Sequence, residues 1–223
     1  MPAQEPGQGL DVTVETYYEW AIDRTPFGGS EPTIPGVHWV DGLEPSIERK
    51  LFTVNTGHAT TAYFGFIEGA DKISDAIALP AVRTAVEAVL AETSAYLIAK
   101  HELDAQDHAD YVARIISRFE NPHLPDTVTR VGRQPLRKLS RDERFVSPAA
   151  AIASQGTEPV ALLNAMGAAL RFDVPDDEQS VELQAMLGDA SLDDTTVATT
   201  ITGLDAGHPL VEPFTARVSA ARE

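Results

Sequence analysis

Apolar residues recur along most of this chain at the spacing of one face of an α-helix. Val82, Val86, Val89, Leu90, Leu97 and Ile98 fall at helical intervals after Pro80, and Val112, Ile115, Ile116 and Phe119 repeat the pattern after Asp104. Both segments predict amphipathic helices turned toward one core. Upstream, Pro45-Ser46 is a helix-start signal for a long segment over 47–69, in which Gly57 and Gly65 indicate close packing. Downstream, Ser147-Pro148 predicts an N-cap and first-turn proline for a helix closed by Gly156, followed by helices over 160–172, 180–187 and 211–221. The acidic, Thr-rich stretch 189–202 predicts a mobile loop with one short helix. Strand signals are confined to the amino-terminal end, at Val12-Thr13-Val14 and over 37–40. Tyr17, Tyr18 and Trp20 suit a short buried helix, and the Pro- and Gly-rich stretch 25–36 reads as a loop. The predicted class is mainly α: a multi-helical domain over 37–223, a small α/β piece over 12–36 and a disordered tail over 1–11.

Length and composition narrow the function classes. A chain of 223 residues can bury a full core without a staple. With 17 Lys and Arg against 34 Asp and Glu, its net charge of −17 argues against nucleic acid and anionic membrane surfaces as partners. The absence of cysteine excludes disulfides, thiolate metal sites and cysteine nucleophiles, and suits a reducing, cytoplasmic compartment. No apolar run approaches the roughly 20 residues needed to span a bilayer. The polar first nine residues lack the layout of a secretory signal.

Two segments carry candidate chemistry. In Lys50-Leu-Phe-Thr-Val-Asn55-Thr-Gly-His58, an amine, an amide and an imidazole stand at i, i+5 and i+8. Wound as an α-helix at about 100° per residue, the three fall within roughly 140° of arc and can enter one cleft. Such a trio suits alcohol oxidation without a metal: an amine base takes the hydroxyl proton while neutral donors hold the oxygen. The base must be tuned from an ordinary lysine pKa of about 10.4 toward 7 to 8 by desolvation or neighbouring positive charge. The plainer alternative is a solvated helix lysine beside core or cap residues. In the second segment, 130–144, six of the chain's 17 Lys and Arg residues gather, a local positive site in an acidic protein. Arginine forks match phosphate oxygens, so a phosphorylated small molecule is a natural ligand. Surface ion pairing is the alternative.

Lys50, Asn55 and His58 match the Lys-x4-Asn-x2-His signature of the polyol-specific long-chain dehydrogenases. With ERKLFTVNTGH, RFENPHL at 118–124 and RVGRQPLRKLSRDERF at 130–145, the chain resembles that family, and within it the branch acting on mannitol 1-phosphate. The resemblance runs from about Val12 to Phe172. It implies a helical substrate domain similar to the 6-phosphogluconate dehydrogenase C-terminal fold. It also implies zinc-independent, NAD-linked interconversion of mannitol 1-phosphate and fructose 6-phosphate. Lys50 would be the general base or acid, Asn55 would polarise the reacting oxygen and His58 would orient it. Arg130 and Lys138 would hold the polyol chain or its phosphate, with Arg133 and Arg137 assigned to phosphate.

The family begins with a dinucleotide-binding domain, yet no G-x-G-x-x-G follows a strand here. Residues 12–36 therefore read as the last piece of that domain and its linker. The expectation is weak NAD binding and little turnover by the chain alone, unless a separately supplied dinucleotide-binding domain completes it. Two other readings are a non-catalytic remnant or binding module, and a dehydrogenase of a non-phosphorylated polyol or hexuronate. His101 and His108 with Glu102 invite a metal reading, but the spacing is not H-E-x-x-H; with His38, His123 and His208 they read as structural or solvated, and no metal is expected.

Overall fold

The computed structural model describes residues 18–223; the expected tail over 1–11, Val12-Thr13-Val14 and Tyr17 lie outside them. Two short strands, β1 (Ala21–Asp23) and β2 (His38–Val40), pair in parallel with Ala21 opposite His38 and Asp23 opposite Val40. Everything after them is helical: α1 (Glu44–Arg49), a π-helical turn (Lys50–Asn55), α2 (Thr56–Ile67), α3 (Ile73–Ala78), α4 (Pro80–His101), α5 (Ala105–Phe119), α6 (Val128–Gly132), α7 (Pro135–Lys138), α8 (Val146–Ser154), α9 (Val160–Leu170), α10 (Glu178–Gly188), α11 (Asp194–Thr202) and α12 (Val211–Arg222). The chain is thus mainly α with a small α/β piece at its amino end, as its periodicity predicts. Among the described residues no helix is long and apolar enough to cross a membrane.

Helix α2 runs through the middle, packed by α3, α4, α6 and α9. Its sequence, TGHATTAYFGFI, is apolar or small nearly all round, the composition of a helix with no solvent face. Ala62 belongs to a core cluster built with Ile73, Ile77, Val86, Leu90 and Ile115; Ala59 and Tyr63 belong to another with Phe145, Leu162, Met166, Phe172 and Phe214. Its buried threonines satisfy themselves on the preceding turn: the Thr60 hydroxyl donates to the Thr56 carbonyl and that of Thr61 to the Gly57 carbonyl, each at 2.8 Å. The expected close packing at the glycines is present, since a Cβ at Gly65 would stand 2.5 Å from that of Ala76 and one at Gly57 would stand 3.1 Å from the Phe119 ring.

Four local expectations need correction. Tyr18 and Trp20 do not form a buried helix; they are 69% and 50% exposed, and the chain runs from them directly into β1. Ser147 is not a cap: α8 starts at Val146, and the Ser147 amide donates to the Glu143 carbonyl, so a preceding turn leads into the helix. The one short helix expected over 189–202 is α11, but it takes up most of the stretch in place of a loop: it is capped by Asp193 on the Thr196 amide at 2.7 Å and buries Val197, Ala198 and Ile201 against the core. The apolar stripe at 197, 198 and 201 outweighs the Thr- and Asp-rich composition. Lys50–Asn55, read as α-helix, is a π turn in which the Thr56 amide reaches back to the Leu51 carbonyl.

Candidate active site

The π turn places the first motif. Because its hydrogen bond spans five residues, Lys50 and Asn55 come closer to one line along the helix than α winding allows. Leu51, whose carbonyl the turn uses, also lies 2.9 Å from the Thr56 hydroxyl, and the same hydroxyl lies 2.9 Å from the Arg144 carbonyl. One buried threonine thereby fixes the lysine motif against the end of the basic segment. His58 follows on α2, its ring stacked on Phe119 with centroids 5.0 Å apart. Its Nε2 lies 3.3 Å from an Asp126 carboxylate oxygen whose partner oxygen takes the Arg130 guanidinium. Burial, helped by Arg118, Arg130, Lys138 and Arg144, pushes the imidazole down to about 3, so the ring is neutral at physiological pH.

The basic segment folds as a helical corner. Helix α6 ends at Gly132, whose carbonyl accepts the Tyr63 hydroxyl at 3.0 Å and whose Cα leaves no room for a Cβ against Phe172. Gln134 then turns the chain with φ of 59°, a left-handed conformation that a non-glycine residue adopts at a cost. That turn is held from outside: the Gln134 amide donates to Asp177 at 2.7 Å, and the Arg137 amide donates to the Gln179 side chain at 2.9 Å. Asp177 also caps α10 through the Gln179 amide. Lys138 folds inward, 4% exposed, and its ammonium donates to the Val131 and Arg133 carbonyls. Burial, then the Arg144 and Arg137 guanidinia, push its pKa down to about 7.

These elements enclose a cavity of about 730 Å³. Lys50, Asn55, His58, Arg130, Arg133, Arg137 and Lys138 all line it, so the fold brings every residue singled out in the two motifs to one cleft. The cationic side chains are not equivalent. Arg130 is paired with Asp126; Arg137 and Arg144 both hold Glu143, at 2.6 and 3.1 Å. Burial alone would raise the Glu143 carboxyl, and the Arg144 and Arg137 charges override that and hold it below the usual carboxylate range. Arg133 donates Nε to the Arg130 carbonyl and enters no ion pair among the described residues, which leaves the outer part of its fork for a ligand. Lys50 is exposed at the cavity wall.

Asp126 and Asp177 carry no motif signal in the sequence, and Arg144 is marked there only as one cation of the basic segment. Asp126 lies just beyond RFENPHL, where only its place before Thr127 marks a helix start; Asp177 sits in an ordinary acidic run. The remaining histidines are not gathered into a cluster. His101 lies 2.7 Å from Glu48 and His108 lies 3.0 Å from the Ser94 hydroxyl. Glu44, Glu48 and His101 do converge, but Lys100 sits 2.7 Å from Glu48 and 3.1 Å from Glu44 and answers both carboxylates.

Comparison with known proteins agrees with this architecture. Residues 42–219 match the family model described as the mannitol dehydrogenase C-terminal domain. The chain is 61% identical over 210 residues to a mannitol-1-phosphate 5-dehydrogenase of Paenarthrobacter aurescens, covering 94% of this chain and 54% of that protein. It is 53% identical to one of Aspergillus clavatus, covering 96% and 55%. It spans about half the length of these curated relatives. Among solved structures, a substrate-free D-sorbitol dehydrogenase superposes with a TM-score of 0.62 at 16% identity, over 93% of this chain and 46% of that one. Pseudomonas fluorescens mannitol 2-dehydrogenase, in complex with NAD and D-mannitol, gives 0.55 at 20% identity, over 85% and 39%. The chain therefore belongs to the mannitol dehydrogenase C-terminal domain family.

Proposed function

We propose that this chain is the substrate-side half of an NAD-linked dehydrogenase that interconverts mannitol 1-phosphate and fructose 6-phosphate. The observation that carries the reading is the single cavity shared by the Lys50, Asn55 and His58 motif and the Arg130 to Lys138 cations. In this reading Lys50 takes the hydroxyl proton during oxidation and returns it during reduction. The Asn55 amide donates to the oxygen as its charge changes, and the neutral His58 ring orients the hydroxyl. Arg133 takes the phosphate, with Arg130, Arg137 and Lys138 shaping the positive wall around it.

Residues 18–223 do not fit a dinucleotide: β1 and β2 are the only strands among them, and no glycine-rich turn leads from either into a helix. NAD supplies the hydride acceptor when bound, and we place its binding on a separate α/β unit. Such a unit has a place to dock. Leu43 and Ile47 are exposed within seven residues of Lys50 in sequence, Tyr18 and Trp20 are exposed just before β1, and parallel strands are ordinarily buried in larger sheets than this pair. A body closing there would also desolvate the exposed Lys50 amine, which a lysine base requires.

The test is to join the chain behind the amino-terminal half of the Paenarthrobacter relative and follow NADH loss with fructose 6-phosphate and, in parallel, with fructose. Turnover on the phosphate, lowered about 10²- to 10⁴-fold by Lys50→Ala, is the expected result. Turnover indifferent to Lys50→Ala overturns the proposed base. Equal turnover on fructose overturns the phosphate assignment.

A further inference from the structure

We infer that Asp126 is a positioning residue: its carboxylate bridges Arg130 and His58, and so fixes the proton of His58 on Nε2. Its role in alcohol oxidation rests on the function proposed above, but the bridge itself does not. The two oxygens of Asp126 are divided between two side chains from different elements. Oδ1 takes the Arg130 guanidinium of α6, and Oδ2 stands 3.3 Å from His58 Nε2 on α2. A carboxylate oxygen 3.3 Å from a ring nitrogen repels that nitrogen's lone pair and favours an N–H there, which places the proton on Nε2 and leaves Nδ1 in the neutral ring as an acceptor.

The mount is rigid on every side. The Asp126 carbonyl accepts the Ile73 amide at 3.0 Å and the Val128 amide donates to the Asp71 carbonyl at 2.9 Å, with Lys72 and Thr127 forming a bridge between them. Ile73 and Val128 are themselves buried. The imidazole is held flat by Phe119, 8° from parallel, which leaves it little freedom to swing off the carboxylate. Asp126 is 14% exposed in its side chain, and Arg130 offsets its charge so that a neutral histidine can stand beside it. The two motifs that line the cavity are therefore joined through this carboxylate. Moving it would displace both the ring that orients the oxygen and a guanidinium of the positive wall.

The substitution Asp126→Asn isolates the effect. An amide of the same shape accepts through one oxygen only. With that oxygen on Arg130, its NH2 faces His58 Nε2 and drives the imidazole proton to Nδ1. The experiment is nitrogen–proton correlation NMR of the full chain labelled with 15N-histidine, with His58 assigned by loss of its signals in His58→Gln. In the wild-type chain the proton is expected on Nε2, and in Asp126→Asn the population is expected to move to Nδ1. The far-UV circular dichroism should remain unchanged. Wild-type His58 protonated on Nδ1 overturns the inference without reference to any variant that fails to fold. An unchanged Nε2 proton in a folded Asp126→Asn chain overturns it as well. In the joined enzyme described above, Asp126→Asn is expected to lower kcat more than it raises KM. A failed activity reading with an intact tautomer result sinks the proposed reaction and leaves the bridge standing.

Discussion

At the scale of single residues, charge and its environment decide what the cleft can do. His58 is held neutral by burial and by the surrounding cations, with its pKa near 3 in the fold against about 6.5 in an unfolded chain. Between those values the unfolded chain binds a proton that the folded chain refuses, so this contribution is complete above pH 6.5 and is lost as pH falls toward 3. The urea midpoint of the wild type should accordingly drop more steeply than that of His58→Gln between pH 6.5 and 4; parallel curves would contradict the account, since the carboxylates titrate in both. Arg133 and Arg137 look alike in sequence but not in place. Arg137 is spent on Glu143 and the Gln134 side chain, whereas Arg133 keeps most of its donors. Calorimetry with fructose 6-phosphate should show Arg133→Ala losing about 10- to 150-fold in affinity, the worth of a charge-assisted hydrogen bond of about 1.5–3 kcal/mol. Arg137→Ala should act mainly on thermal stability. The motif spacing made both arginines and the Lys50 trio legible. It could not show which arginines were already paired, because Glu143 reaches Arg137 only through the turn after α7.

At the scale of elements, the site depends on short pieces pinned by longer ones. Helices α6 and α7 are five and four residues long, too short to stand alone, and their corner passes through Gln134 at positive φ. Asp177 secures that corner and caps α10 at once. Asp177→Ala should cost about 1–2 kcal/mol in urea unfolding and weaken sugar-phosphate binding together; a loss of stability with affinity intact would show that the corner does not set the cleft. Gly132→Ala meets the Phe172 ring, and overpacking of that kind should cost about 1–3 kcal/mol. Long helices such as α4 and α5 were readable from their apolar stripes. The π turn was not, since its winding comes from the Thr56 hydroxyl and amide meeting Leu51 and from Arg144 packing across, a contact between residues remote in sequence. A short helix in the α11 stretch was legible, but its extent was masked by Thr and Asp, residues that favour caps and turns until burial of Val197 and Ile201 decides for the helix.

At the scale of the molecule, the charge is distributed against its own average. A chain of −17 concentrates seven Lys and Arg side chains around one cavity with four carboxylates, so the cleft is a positive site in a negative body. Net repulsion at long range and attraction at short range favour a small anion over a polyanion. The mainly helical class and the segregation of strand signals to the amino end were legible because apolar periodicity reports burial directly. The joining of two motifs into one cavity was not, because it depends on α2 passing between two cores. The central claim is that both motifs contact one sugar phosphate. Its most direct test is chemical-shift mapping of fructose 6-phosphate onto the isotope-labelled chain. Signals from Lys50, Asn55 and Arg133 should move together along one saturation curve; movement of the arginine signals alone, with the Lys50 motif unaffected at saturation, would show that the two motifs do not share the ligand.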